Sequence, residues 1–185
     1  MAIDLGNTKI QLVAAQENFR DEELFVSEDV FSAAGAFVLI ASNEKRTAHG
    51  MLGGCVEPDL AIGDIDVDSL DALVIAGGSG SIEHLWGNQT LLDKVREADS
   101  KGKVIGAICL AGVVLAQAGV VKGKRCTVFP TAVSLAELKR HGATYVRQGL
   151  VVDERVVTAE GPDYARPFAE AVLDQVRARM PLAQR

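Results

Sequence analysis

Residues 104–119 read VIGAICLAGVVLAQAG: an apolar run, a cysteine, then small and apolar residues that stop at a glycine. A short continuous apolar run is the mark of a strand buried on both faces, as in a parallel sheet. The alanine- and glycine-rich stretch after it reads as a short buried helix, with Cys109 at the hinge between the two. The same grammar recurs on either side. DALVIAGGSGS (71–81) is a strand running into a glycine loop, and SIEHLWGNQTLLDKVREADSKG (81–102) is expected as one helix, with Ile82, Leu85, Trp86, Leu92 and Val95 on one stripe. Upstream, KIQLVAA (9–15) and AFVLIAS (36–42) read as strands. They flank a helix over 18–35, with Asn18 as N-cap, acids in the first turn and Gly35 at the stop. The glycine-rich segment 43–63 is expected to hold short strands or an exposed hairpin. Downstream lie a strand RCTVFP (125–130), a helix SLAELKRHG (134–142) and a segment 145–161 that turns through Asp153-Glu154. A last helix carries Tyr164, Phe168, Val172, Val176 and Met180 on one face, with Pro167 in its early turns.

Strands alternating with helices give an α/β fold, a flavodoxin-like three-layer sandwich with a mainly parallel sheet and helices on both faces. One domain is expected over 1–185, with 1–8 and 181–185 peripheral. At 185 residues the chain can bury a full core. Its formal charge of −6 argues against nucleic acid as a partner. No stretch reaches the roughly 20 apolar residues of a membrane span, and none reads as a secretory signal, so a cytoplasmic protein is expected. The 3 cysteines, Cys55, Cys109 and Cys126, form no CxxC pair, which suits free thiols and predicts no metal site. Cys55 and Cys126 are expected to be structural or incidental. DIDVDS (64–69) lacks the acids and glycine of a calcium loop, and GGSGS lacks the lysine of a phosphate loop, so no cofactor is expected.

In open α/β sheets ligands bind beyond the carboxyl ends of the strands. Gly77–Gly80 and Cys109 both stand at such ends. The bland reading of Cys109 is a small hydrophobe in the core. The sharper one is a nucleophile on a strand-to-helix elbow, its pKa lowered by the helix N-terminus. On the 18–35 helix Glu23 shares a face with Val26, Val30 and Ala33. Desolvation there would keep it protonated, able to hydrogen-bond a thiolate; Glu22 points to solvent. The competing reading is an early-turn acid complementing the helix dipole. His84, just past the glycine loop, is a possible accessory group or a surface residue. His49 falls in an exposed turn and His141 near a helix end.

DALVIAGGSGS, GKVIGAICLAGVVLAQAGVVKGKRCTVFP (102–130) and VVTAEGP (156–162) resemble the ThiJ/PfpI superfamily, over about Lys9 to Val176. FRDEEL (19–24) is similar to its F-x-D-x-E-L, and TAHG (47–50) to its G-K-H-G. The resemblance implies Cys109 as nucleophile or redox-sensitive thiol and Glu23 as its hydrogen-bonding acid. It also implies an oxyanion hole from the Gly78 and Leu110 amides, and a homodimer or higher homo-oligomer. The chain departs from the family in having Leu110 where hydrolytic members place a histidine, no histidine in CTVFPTAV (126–133), and Ala111-Gly112 for a frequent G-P. No Cys–His dyad can therefore be assigned, and because peptide hydrolysis needs an acid for the leaving amine, this argues against protease activity. The expected function is chemistry on small reactive carbonyls, glyoxalase- or deglycase-like. The alternatives are a peptidase or amidase of the PfpI type acting on peptide substrates, a redox-sensing or chaperone-like stress protein, and a member whose site has decayed.

Overall fold

The buried apolar runs line up as the middle of one parallel sheet. The structure, a computed structural model, describes residues 5–180. In chain order the elements begin with β1 (Lys9–Val13), β2 (Glu17–Phe19), α1 (Asp21–Ala33), β3 (Phe37–Ser42), β4 (Ala48–Gly50), β5 (Cys55–Val56), β6 (Leu60–Ala61) and β7 (Ala72–Ile75). They continue with α2 (Ser81–His84), α3 (Gln89–Ser100), β8 (Val104–Ile108), α4 (Gly112–Ala118), β9 (Arg125–Cys126), α5 (Ala132–Arg140), β10 (Thr144–Tyr145), β11 (Leu150–Asp153), β12 (Val156–Ala159) and α6 (Ala165–Arg179).

The main sheet has seven strands in the order β11-β12-β8-β7-β1-β3-β6, parallel except for the β11–β12 hairpin at one edge. Every residue of β7, β8 and β12 is buried, as continuous apolar runs require. α1 and α6 pack together on one face, and α3 and α4 pack together on the other. This is the flavodoxin-like α/β sandwich expected. Among the described residues no helix is long and apolar enough to cross a membrane.

The strand order reverses between β1 and β7, which makes their carboxyl ends the natural ligand crevice. The register sets what stands there. Ile75 pairs with Ala107, and Ile108 with Ala159, so the chain leaves β7, β8 and β12 side by side at Gly77, Cys109 and Glu160.

Several local expectations change. Asn18 is not a helix cap: it lies within β2 with φ 58°, and the helix begins at Asp21 with no side-chain cap at Arg20. Gly35 does end the helix, at φ 89°. Residues 81–102 form two helices, because Gly87 turns left-handed (φ 66°) and the Asn88 side chain accepts from Leu91 N–H at 3.1 Å to start the second. Ile82, placed on the expected stripe, is consequently exposed. Only Arg125–Cys126 of the 125–130 run pairs, with β10. α5 starts early because Thr131 and Ser134 form a reciprocal capping box. Tyr164 precedes α6 and is exposed, while Phe168, Val172 and Val176 are buried. Of the segments expected to be peripheral, Leu5 and Thr8 are in fact buried; residues 1–4 and 181–185 lie outside the described residues.

The face carrying α6 is packed to contact at Gly106 in β8. A Cβ there would lie 3.0 Å from Phe168 Cζ and 3.1 Å from Val172 Cγ2. Gly106→Val should therefore lower unfolding free energy by about 1–3 kcal/mol, measured by urea titration. An unchanged midpoint would show that α6 can move away without loss.

Candidate active site

β8 ends in an extended residue, Ile108, and the next residue, Cys109, turns to φ 60° before a single 3-10 turn (Cys109–Ala111) leads into α4. A non-glycine residue in this left-handed region costs on the order of 1–3 kcal/mol and persists only when its surroundings enforce it. The enforcement is visible. Trp86 Nε1–H donates to the Leu110 carbonyl at 2.8 Å, and Phe129 N–H donates to the Cys109 carbonyl at 3.4 Å. The result is a sharp elbow that carries the thiol at the carboxyl end of the sheet, 7% exposed.

The glycine loop meets this elbow at atomic contact. A Cβ on Gly77 would lie 2.6 Å from the Ile108 carbonyl oxygen, 2.7 Å from Cys109 Cβ and 2.7 Å from Glu23 Oε2. Gly78, at φ 108°, has no room either: its Cβ would overlap the Arg20 nitrogen and lie 2.5 Å from the Asn18 carbonyl oxygen. The β2–α1 corner clasps the loop through Arg20 N–H to Gly77 O at 2.9 Å and Gly80 N–H to Asn18 O at 3.0 Å. That clasp places Asn18 in its left-handed conformation, and it delivers Glu23 onto the elbow from the first turn of α1.

Glu23 is fully buried. Its Oε2 accepts the Gly77 N–H at 2.8 Å, while Oε1 is buried without a hydrogen-bond partner of good geometry, free to carry a proton. Burial pushes this carboxyl up to about 7, against the pull of the Gly77 N–H, the Cys109 thiol and the Arg20 guanidinium. Burial and then the Glu23 charge push Cys109 up to about 12, against hydrogen bonds from the Gly78 and Leu110 N–H groups to its sulfur. The expected lowering by the helix N-terminus is thus overridden by desolvation and by the facing acid. Two acids in one dry space resist ionising together, so near neutrality the Glu23 carboxyl titrates first and the Cys109 thiol keeps its proton.

The structure brings Cys109, Glu23 and the amides of Gly78 and Leu110 together. His84 is half-buried at the end of α2. Its carbonyl accepts from the Asn43 and Asn88 side chains at 2.9 and 3.1 Å, and among the described residues no hydrogen bond or ion pair joins its ring to Cys109 or Glu23. His141 lies 3.6 Å from Glu137 at the end of α5. Glu22 is paired with Arg20 at 2.7 Å, which holds its carboxyl below the usual range. The buried face of α1 is Glu23, Leu24, Ser27, Val30 and Phe31; Ala33, expected to share it, is exposed.

Sequence reasoning placed Gly77 at a ligand-binding strand end without giving it a contact, and it missed Arg20 and Trp86 as site residues. In sequence the Trp86 indole reads as core stripe, and only the packed structure gives its N–H the acceptor that a buried indole usually finds. Two surfaces flank the site. The tip of the β4–β5 hairpin brings Met51 sulfur to 3.4 Å from the Ser79 nitrogen. On the other side a cleft of about 250 Å³ is lined by Phe129, Glu160, Gly161, Pro162, Asp163 and Tyr164. Among the described residues no cluster of three or more His, Cys, Asp or Glu is placed to hold a metal ion.

The model of the DJ-1/PfpI family matches residues 8–175. An uncharacterised protein of Methanocaldococcus jannaschii is 45% identical over 173 residues, covering 94% of this chain and 84% of that protein. A protein of Pyrococcus abyssi named a deglycase is 30% identical over 151 residues, 82% of this chain and 89% of its own. The solved structure of a ThiJ/PfpI domain protein from Brachyspira murdochii superposes with a TM-score of 0.87 at 29% identity, covering 93% of this chain and 98% of that one.

Glu23 makes a definite pH signature. Its folded-state value of about 7 lies above its ordinary 4.5, so the native state holds the proton longer than the unfolded chain. Stability from this group is fully present below about pH 4.5 and is lost as pH rises to about 7, about 3 kcal/mol in all. Urea titrations from pH 4.5 to 7.5 should show wild type losing that much relative to Glu23→Gln. A constant gap would mean that the carboxyl is not desolvated as described.

Proposed function

The chain belongs to the DJ-1/PfpI family, and from that premise we propose that it is a cysteine-dependent enzyme acting on small reactive carbonyls, of the glyoxalase or deglycase kind. The observation that carries this reading is the buried Cys109–Glu23 pair beneath the Gly78 and Leu110 N–H groups, with the carboxyl pushed up to about 7 and the thiol to about 12. The deglycase name of the Pyrococcus relative supports the same substrate class.

With a 2-oxoaldehyde such as methylglyoxal, the Cys109 sulfur adds to the aldehyde carbon. The oxygen that gains charge is held by the Gly78 and Leu110 N–H groups and takes the proton from Glu23, giving a hemithioacetal. Glu23, now a carboxylate, removes the hydrogen on that carbon and returns a proton to the neighbouring carbon, while the hydroxyl proton passes from the first oxygen to the second. The product is a thioester of lactate, which water cleaves to lactate and the free thiol. The sum is addition of one water, with no oxidant or reductant. Peptide hydrolysis is disfavoured because it needs an acid placed for the leaving amine, and among the described residues no imidazole is bonded to Cys109.

Lactate formation from methylglyoxal by wild type, Cys109→Ala and Glu23→Gln tests this. Cys109→Ala should abolish turnover, and Glu23→Gln should lower kcat by about 10²–10⁴-fold while the protein remains folded. Turnover that survives Cys109→Ala sinks the proposal.

A further inference from the structure

Beside the elbow lies the cleft of about 250 Å³ lined by Phe129, Glu160, Gly161, Pro162, Asp163 and Tyr164. Two of its walls are tied to the nucleophile. The Phe129 N–H donates to the Cys109 carbonyl at 3.4 Å, so that ring is carried by the segment that enforces the elbow. Ala159 pairs with Ile108, so Glu160 leaves β12 beside Cys109, one strand spacing of about 4.8 Å away across the sheet. A substrate held by its carbonyl at Cys109 therefore has its other end within reach of this cleft. The lining is set on a common frame. The Tyr164 ring rests against the Gly149 backbone, where an added Cβ would lie 1.8 Å from Cζ and 2.0 Å from Cε1. The Glu160 N–H donates to the same residue's carbonyl at 2.9 Å, and the Tyr164 N–H donates to the Gly161 carbonyl at 2.9 Å.

Both aromatic rings stand open to water, Phe129 at 45% and Tyr164 at 38% exposure. Glu160 is half-buried and Asp163 exposed, and among the described residues neither carboxylate has a hydrogen-bond or ion-pair partner. No Lys, Arg or His lines the cleft. By contrast, on the adjoining β11–β12 hairpin Glu154 pairs with Lys124, and Asp153 accepts the Arg125 N–H at 2.8 Å. An open ring face attracts a cation through its quadrupole, and an unpaired carboxylate adds a Coulombic pull that strengthens as water leaves the cleft. An anion is repelled by both acids. An apolar group strips water from the carboxylates and gives nothing in return. A cation alone gains from the whole lining.

We propose that this cleft is a subsite for an organic cation, an ammonium or guanidinium group, so that the elbow selects carbonyl compounds with a positive charge on the end that does not react. The inference rests on the carbonyl reading of Cys109 given above and adds the substrate's second group to it. Phe129 and Tyr164 supply the ring faces, and Glu160 and Asp163 supply the charge. The formal charge of −6 attracts any cation diffusely, but that field is screened beyond about 8 Å at physiological ionic strength. A preference that survives such salt belongs to the groups in the cleft.

The test compares two methanethiosulfonate reagents of the same shape, one ending in a trimethylammonium group and one in a tert-butyl group, at about 0.15 M salt. Each converts a thiol to a mixed disulfide and releases methanesulfinate. Peptide mass mapping gives the rates at Cys109 and at exposed Cys55, which reports the intrinsic ratio of the two reagents. At Cys109 the cationic reagent should be favoured about tenfold over that ratio. The preference should fall severalfold in the double variant Glu160→Gln/Asp163→Asn and partly in Phe129→Leu, with circular dichroism checking the fold of each. Equal ratios at Cys109 and Cys55, or a preference that the double variant keeps, would overturn the cation subsite and leave the elbow thiol reactive. Labelling of Cys55 with none at Cys109 by either reagent would instead overturn the reading of Cys109, and the subsite with it.

Discussion

The site depends on one hydrogen bond, from the Gly77 N–H to Glu23 Oε2 at 2.8 Å. It joins the loop after β7 to the first turn of α1, and it is made where no side chain fits, because a Cβ on Gly77 would strike the elbow and the carboxyl together. The fold supplies the rest of the geometry. β7 lies between β1 and β8, so the loop leaving β7 is flanked by the β2–α1 corner and by the elbow. Sheet order thereby converts three segments distant in sequence into one dry contact. The glycines at 77 and 78 are therefore steric requirements of the site.

That contact also sets the electrostatics. A thiol at a helix start would ordinarily gain thiolate character, but here burial and the facing carboxyl act in the opposite sense. The same burial lifts Glu23 to about 7, where it can give or take a proton near neutrality. Neither group is reactive by virtue of its own environment alone. A thiolate in this space requires the proton to sit on Glu23, and the unpartnered Oε1 is the atom available to hold it.

Much of this was legible in the sequence, where local pattern and tertiary outcome agree. The apolar runs gave the parallel sheet, and the run ending at Cys109 gave the elbow, since both signals survive in any context that buries them. Glu23 followed from helix periodicity, even though Ala33, counted on the same face, is exposed. The failures have physical causes. Asn18 looks like a helix cap, but its backbone is fixed by the Gly78 and Gly80 contacts, which no local pattern encodes. The break at Gly87-Asn88 was a readable stop-and-start signal that the apolar stripe outweighed. The sign of the Cys109 shift depends on desolvation, a property of the packed interior. The pairing of β2, β4 and β5 into a separate sheet depends on the register of strands two or three residues long, which carry too little pattern to fix it.

The residues around Cys109 also limit the kind of reaction the elbow suits. Leu110 occupies the place of a histidine and is buried, and α4 starts hard against the next segment: a Cβ on Gly112 would lie 3.2 Å from the Thr127 carbonyl oxygen and from Val128 Cγ2. Arg20, the nearby cation, is engaged by Glu22. Among the described residues, the titratable side-chain protons at the elbow are then those of Glu23 and Cys109. A reaction that consumes a proton at a leaving group leaves such a site with a buried charge that nothing cancels. A reaction that takes a proton from one carbon and returns it to the next leaves the proton count of the site unchanged across that step. Isomerisation of a carbonyl adduct is of this second kind, and amide cleavage is of the first, which is the physical reason for preferring carbonyl chemistry at this elbow.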